Sequence, residues 1–209
     1  IMSSIPELMS GRALEHGIAL LVDHGGSSGS KMHVGGQANA DVAAGTVING
    51  DGEGTTETET TEYTVPANTL VAGSTIRCKF YVHCPSGNGS DTTQVGLRFG
   101  SNTTASSNTG IETSALDLDN SGAVIVGNAV VQIRTAGSSG TAVMFGTIAM
   151  DTNTTGIALS HDESGALAAF AINTTVANYL SVTITLGSTN ASMVAQSEAF
   201  IVDIVNPST

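Results

Sequence analysis

From about residue 40 onward, apolar and polar side chains alternate with a period of two. The run Thr75-Ile76-Arg77-Cys78-Lys79-Phe80-Tyr81-Val82-His83 puts Ile76, Cys78, Phe80 and Val82 on one face. Arg77, Lys79, Tyr81 and His83 fall on the other, the spacing of a half-buried strand. Val95, Leu97 and Phe99 repeat the pattern, with Gln94 and Arg98 facing out. Further runs lie at Val130 to Arg134, Ala142 to Met150, Leu180 to Leu186 and Phe200 to Val205. Turn-forming clusters separate them: Pro85-Ser86-Gly87-Asn88-Gly89, Gly137-Ser138-Ser139-Gly140 and Gly187-Ser188-Thr189-Asn190. The pattern predicts seven or eight short strands, each with one apolar and one wet face. An all-β, antiparallel two-sheet sandwich is the architecture that buries such faces. Nothing between the runs has the period of a crossover helix, which argues against a parallel α/β sheet.

Residues 1–36 break with this rhythm. Leu14, Ile18, Leu21 and Val22 recur at helical spacing, and Gly25-Gly26-Ser27-Ser28-Gly29-Ser30 has the composition of a flexible linker. An apolar helical piece tethered by glycine buries its face poorly alone. Residues 1–36 are therefore expected to be a short docking arm containing some helix, and residues 37–209 the sandwich. The arm docks on a neighbour, or else packs on its own domain.

Composition narrows the function classes. The chain has 209 residues, 40% hydrophobic but only 4% aromatic, without Trp, so Val, Ile, Leu and Ala must fill the core. Charged residues are 11%, less than half the usual share of about 25%. Thr, Ser, Asn and Gly replace them, giving a polar, nearly uncharged surface. Six basic residues against 18 acidic ones give a formal charge of −12. Phosphate neutralisation needs basic groups, so neither nucleic acid nor an anionic membrane is an expected partner. The run Ile18 to Val22 is too short to span a bilayer and has no basic region before it, so no signal peptide is expected. Cys78 and Cys84 on one continuous strand would be about 20 Å apart, beyond disulfide reach. Free, partly buried thiols and a reducing folding compartment follow; a bridge requires the strand to end and turn at Pro85.

The segment Thr64-Val65-Pro66-Ala67-Asn68-Thr69-Leu70-Val71-Ala72-Gly73-Ser74-Thr75-Ile76-Arg77 resembles the x-I-P-A-G-T-L-x-x-G-D-x-I-R strand-turn-strand of jelly-roll domains in tailed-phage virion proteins. Gln94-Val95-Gly96-Leu97-Arg98-Phe99-Gly100-Ser101-Asn102-Thr103 is similar to that family's x-V-R-L-R-F-G-G-T strand. Asn178 to Ile184 and Gln196 to Val205 fit its closing strands. The resemblance covers about residues 40–205. It implies a jelly-roll sandwich without enzymatic activity or cofactor, assembled in the host cytoplasm and exposed on the virion exterior. Its implied partners are the major capsid protein and copies of itself, as a homotrimer. The implied role is capsid decoration, or cement. The alternative within the family is a head-fibre or tail-fibre module that binds host-surface glycans. Glycan binding favours exposed aromatics, and only Tyr63, Tyr81 and Tyr179 offer a ring with a polar handle.

Several constellations bear on chemistry. Glu53, Glu57, Glu59 and Glu62 form an acidic cluster; on a strand Glu57 and Glu59 share a solvent-facing, mutually repulsive face. This is either an edge strand that charge protects from stray pairing, or a docking surface for a basic capsid patch. Asp117, Asp119, Ser121 and Gly122 copy the first half of a calcium loop, but Asn128 stands where the bidentate Glu is needed. Asn49, Asp51, Glu53 and Gly54 are a looser match. Asp117 and Asp119 are thus weak cation candidates beside the simpler account of an acidic turn. Gly25-Gly26-Ser27-Ser28-Gly29 fits G-x-S-x-G, but no helical pattern follows to make a nucleophile elbow. His16, His24 and His33 have no zinc spacing. The N-x-[ST] sequons follow from composition alone.

Overall fold

The computed structural model describes residues 39–41, 45–49, 56–86, 91–118, 123–152, 156–160, 169–187 and 193–207. They form thirteen strands. In chain order these are β1 (Asn39–Asp41), β2 (Ile48–Asn49), β3 (Thr58–Val65), β4 (Thr75–Ser86), β5 (Asp91–Gly100), β6 (Thr109–Glu112) and β7 (Leu116–Leu118). There follow β8 (Ala123–Thr135), β9 (Gly140–Thr152), β10 (Gly156–Ser160), β11 (Phe170–Ile172), β12 (Asn178–Leu186) and β13 (Val194–Val205). A single 3-10 turn, Ala105–Ser107, is the one helical element among the described residues. The predicted arm, with Leu14, Ile18, Leu21 and Val22, lies outside the described residues, as do its linker and His16, His24 and His33.

All pairings are antiparallel and most are nested. β2 pairs with β13, β3 with β12, β4 with β8 and β5 with β6. The chain is thus one long ribbon of paired strands. Rolling that ribbon brings β13 beside β4 and β12 beside β5. The result is a jelly-roll sandwich with a larger sheet, in the order β1-β13-β4-β8-β9-β10, and a smaller one, β3-β12-β5-β6. β9 and the strands paired to it, β10 and β11, widen the larger sheet beyond the nested scheme.

The alternation read from the sequence is realised strand by strand. Ile76, Cys78, Phe80, Val82, Val95, Leu97, Phe99, Leu180, Val182 and Ile184 all enter one core cluster, joined by Phe200 and Val202. Burying an aliphatic side chain of this size contributes about 1.5–3 kcal/mol. With few aromatics available, one ring does unusual work. Phe80 lies fully buried opposite Gly127 on the neighbouring strand, and its ring covers the space where a Cβ of residue 127 would stand. At the turn that resembles the phage motif, Asn68 takes the left-handed φ of 61° where the motif has glycine, a conformation that Asn tolerates better than most residues.

Three features differ from the sequence expectation. The described strands outnumber the predicted seven or eight, and β4, β8, β9 and β13 are 12 or 13 residues long rather than short. Pro85 does not end β4. The strand runs on to Ser86, and the missing proline N–H falls where β13 shifts register between its partners Ser86 and His83. The outer face of the larger sheet is not uniformly polar: Val124, Phe145 and Ile201 are exposed on it at 43%, 41% and 39%.

Candidate functional site on the outer face of the smaller sheet

The acidic cluster sits on and just before β3, an edge strand of the smaller sheet. Glu53 lies outside the described residues. Between β3 and β12 the register slips: Val182 faces Thr61, while the next residue, Thr183, faces Glu59. Thr60 is the extra residue of a β-bulge, and it is buried like Thr61. Its hydroxyl donates to the Thr46 carbonyl (2.8 Å) and accepts from the Ser197 N–H (3.1 Å). Its carbonyl accepts from the Thr46 N–H (2.7 Å). The bulge therefore stitches β3 to β13, the edge of one sheet to a strand of the other.

The bulge also decides which carboxylates meet. Without it, Glu59 and Glu62 would point to opposite faces; with it, both point outward beside Thr183 and Ser181 of β12. The two carboxyl groups come into hydrogen-bonding contact. Burial and the charge of Glu59 raise the Glu62 pKa above 4.5, while a hydrogen bond from Thr64 Oγ1 (3.3 Å) partly opposes the rise.

Glu57, by contrast, is compensated. Its carboxylate accepts from Arg98 Nε (2.6 Å) and Nη2 (3.0 Å), and from Thr183 Oγ1 (2.6 Å). Arg98 also binds Glu112 of β6. A Cβ on Gly96 would stand 2.7 Å from Thr183 Oγ1 and 3.6 Å from Glu57 Oε1, so glycine at this position leaves room for the carboxylate to reach over β12 to β5. Burial works against the Arg98 charge, but Glu57 and Glu112 more than offset it and raise its pKa above the ordinary arginine value. Arg98 is therefore no solvated outward side chain; its side chain is 14% exposed. The expected repulsion between Glu57 and Glu59 is replaced by repulsion between Glu59 and Glu62.

One more group belongs to this face. Ser181 follows inward-facing Leu180 and is flanked in register by Glu62 and Arg98. It is fully buried, and its Oγ has no hydrogen-bond partner among the described residues. A buried hydroxyl left unpaired costs about 1–3 kcal/mol. The face thus combines four carboxylates (Glu57, Glu59, Glu62 and Glu112), one guanidinium and one unsatisfied hydroxyl. With Glu57 and Glu112 bound to Arg98, Glu59 and Glu62 are the carboxylates of this set that a hydrogen-bond-donating cation would compensate. Glu59 and Glu62, in hydrogen-bonding contact, do not match a glycosidase pair, whose carboxyl groups stand at least ~5 Å apart across a groove. Arg98, Thr183, Ser181 and Glu112 were not legible as members; the only hint was a lone charge within the alternating run of β5.

The other candidates fall elsewhere. Asp117 is exposed on β7 between buried Leu116 and Leu118, and Asp119 lies outside the described residues. No group of three or more His, Cys, Asp or Glu among the described residues is placed to hold a metal ion. Cys78 and Cys84 are free and buried on β4, and burial pushes both thiols up to about 12. His83 is exposed, with Nδ1 3.8 Å from Glu198 Oε1. No helix among the described residues is long and apolar enough to cross a membrane.

No family model and no curated protein matches the chain. Among solved structures it is similar to lectin I-B4 from Griffonia simplicifolia in its metal-free form, at 6% identity and a TM-score of 0.32, over 69% of this chain and 77% of the lectin. It is also similar to an alginate lyase from Alteromonas sp. 272, at 11% identity and a TM-score of 0.25, over 69% of this chain and 79% of the lyase. A legume lectin-like domain from Entamoeba histolytica aligns at 10% identity and a TM-score of 0.24, over 67% and 74%. Similarity at this level assigns no role to any residue of the face described above.

Proposed function

We propose that this chain is a structural protein of a tailed-phage virion that decorates and stabilises the capsid shell. It does so without catalysing a reaction, by multivalent contacts with the major capsid protein, and acts as a homotrimer on the particle exterior. The observation that carries the proposal is the outer face of the smaller sheet. The Glu59–Glu62 pair repels itself there, beside a buried Ser181 hydroxyl that has no hydrogen-bond partner among the described residues. A Lys or Arg side chain from a shell subunit relieves the repulsion and donates hydrogen bonds to both carboxylates. One partly exposed ion pair contributes only about 0.2–1 kcal/mol, so a single copy holds weakly. Repeated copies on a lattice turn weak contacts into firm ones through effective concentration. Cys78, Cys84 and Arg98 have structural employment: the thiols face the core, and Arg98 clamps Glu57 to β5.

The test is quantitative mass spectrometry of purified particles, combined with rebinding of purified protein to stripped shells. Hundreds of copies per particle are expected, with E59Q/E62Q protein binding shells at least tenfold more weakly than wild type. A few copies per particle, or undiminished binding by E59Q/E62Q, would overturn the proposal.

A further inference from the structure

A second surface stands on the opposite side of the sandwich, on the outer face of the larger sheet. Two rows of side chains cross it in register. One row is Asp203 (β13), Arg77 (β4), Val130 (β8) and Phe145 (β9); the next is Ile201, Lys79, Asn128 and Thr147 on the same strands. These eight residues line a shallow groove of ≈ 420 Å³, within the range of about 300–1,000 Å³ typical of ligand sites. Phe145 and Ile201 flank it and are 41% and 39% exposed. Arg77 and Lys79 are exposed, and neither has a carboxylate within 4.0 Å among the described residues. The Lys79 ammonium rests 5.1 Å from the centroid of the Tyr81 ring, which holds it beside the groove.

Each feature restricts the occupant. Two neighbouring cations with no carboxylate within 4.0 Å among the described residues call for an anion, with Asp203, in register beside Arg77, offsetting only part of their charge. A polyanion is disfavoured, because the chain carries −12 overall and has six basic residues in all. Apolar walls call for a ligand with a hydrophobic flank, and the half-exposed Phe145 ring suits the C–H face of a sugar. Asn128, Thr147 and Asp203 supply the amide, hydroxyl and carboxylate groups that read hydroxyls. We propose that this groove binds a glycan through a single acidic sugar residue, uronic or sialic, whose carboxylate lies between Arg77 and Lys79 and whose ring lies against Phe145. This gives the chain a surface-recognition function beyond shell decoration, and it does not rest on that role: the shell-facing carboxylates lie on the other sheet.

The test is titration of the full-length protein by calorimetry and saturation-transfer NMR. The probes are 3′-sialyllactose, a glucuronic-acid disaccharide, neutral lactose, sodium acetate and a short acidic aliphatic peptide. At least one acidic sugar is expected to bind with a Kd of about 0.1–1 mM, with lactose at least tenfold weaker. R77A/K79A abolishes binding, F145A weakens it about fivefold, and E59Q/E62Q leaves it unchanged; circular dichroism checks that each variant is folded. Whichever acidic sugar binds decides between the uronic and sialic forms. Four results would each overturn the inference. These are no saturation by either acidic sugar at 10 mM, binding that survives R77A/K79A, acetate competing as well as the sugar (an adventitious anion only), or the peptide binding more tightly than any sugar.

Discussion

Arg98→Met removes the guanidinium that holds Glu57 and Glu112 on the outer face of the smaller sheet. Met keeps the aliphatic length, so the loss is electrostatic rather than a cavity. Arg98 and Glu57 have side-chain exposures of 14% and 20%, and two hydrogen bonds of 2.6 and 3.0 Å join them. Removing one partner of a fully buried pair costs ~3–5 kcal/mol, because the other charge is left stranded. Here the cost is smaller. Glu57 retains the Thr183 hydroxyl, and Glu112, 53% exposed, returns to water. About 2–3 kcal/mol is expected, which at about 2–4 °C per kcal/mol for a domain of this size lowers Tm by roughly 4–12 °C. Urea denaturation followed by circular dichroism near pH 7 measures the loss. E57Q/R98M separates the mechanism from simple loss of packing. With the stranded charge removed, the double variant is expected to be about 1 kcal/mol or more stabler than R98M. An R98M protein within 0.5 kcal/mol of wild type, or a double variant no stabler than R98M, refutes the reasoning.

Other outcomes follow from the same structure. Gly127→Ala places a methyl group inside the Phe80 ring and is expected to cost about 1–3 kcal/mol by overpacking, seen as a lower urea midpoint; F80L/G127A recovers part of the loss. The folded-state pKa of Glu62 is raised, so the folded state binds more protons there, and stability falls as the pH rises from below 4.5 through the folded value. E62Q lacks that fall: its Tm exceeds that of wild type near pH 7 and the two converge near pH 4, whereas a Tm below wild type at pH 7 contradicts the assignment. Cys78 and Cys84, buried and pushed up to about 12, are expected not to react with Ellman's reagent until the protein unfolds. Stoichiometric labelling of the native protein near pH 8 rules that out.

The sheets were legible because their inner faces obey period two without interruption. Ile76 to Val82, Val95 to Phe99 and Leu180 to Ile184 are strands in sequence and in space, and all point into one core. The spacing of Cys78 and Cys84 likewise favoured free thiols over a bridge, and both are free. The acidic site was only half legible, for two physical reasons. First, a bulge is a count error of one, and nothing marks Thr60 rather than Thr61 as the extra residue. That choice rests on hydrogen bonds to Thr46 and Ser197, 14 and 137 residues away along the chain. Counting by twos therefore paired Glu57 with Glu59, while the folded chain pairs Glu59 with Glu62. Second, the partner of Glu57 is fixed by sheet order. Arg98 is 41 residues distant and meets Glu57 only because β12 lies between β3 and β5.

The larger sheet's outer face carried a signal of another kind. In Ala123-Val124-Ile125-Val126-Gly127-Asn128-Ala129-Val130-Val131, apolar residues occupy both parities, the mark of a strand covered on both sides. Ile125, Ala129 and Val131 are buried in the core, while Val124 is 43% exposed on the outside. Apolar side chains gathered on one outer face make that face a candidate for contact. The two outer faces thus differ in what they lack among the described residues: the smaller sheet has more negative charge than its one arginine balances, and the larger has cations and apolar walls with nothing laid across them. A chain selected only for solubility would have exchanged these features between faces, pairing Arg77 and Lys79 with Glu59 and Glu62. Their separation onto opposite sides of one sandwich is the arrangement that the two proposed contacts, a shell subunit on one side and an acidic sugar on the other, would use.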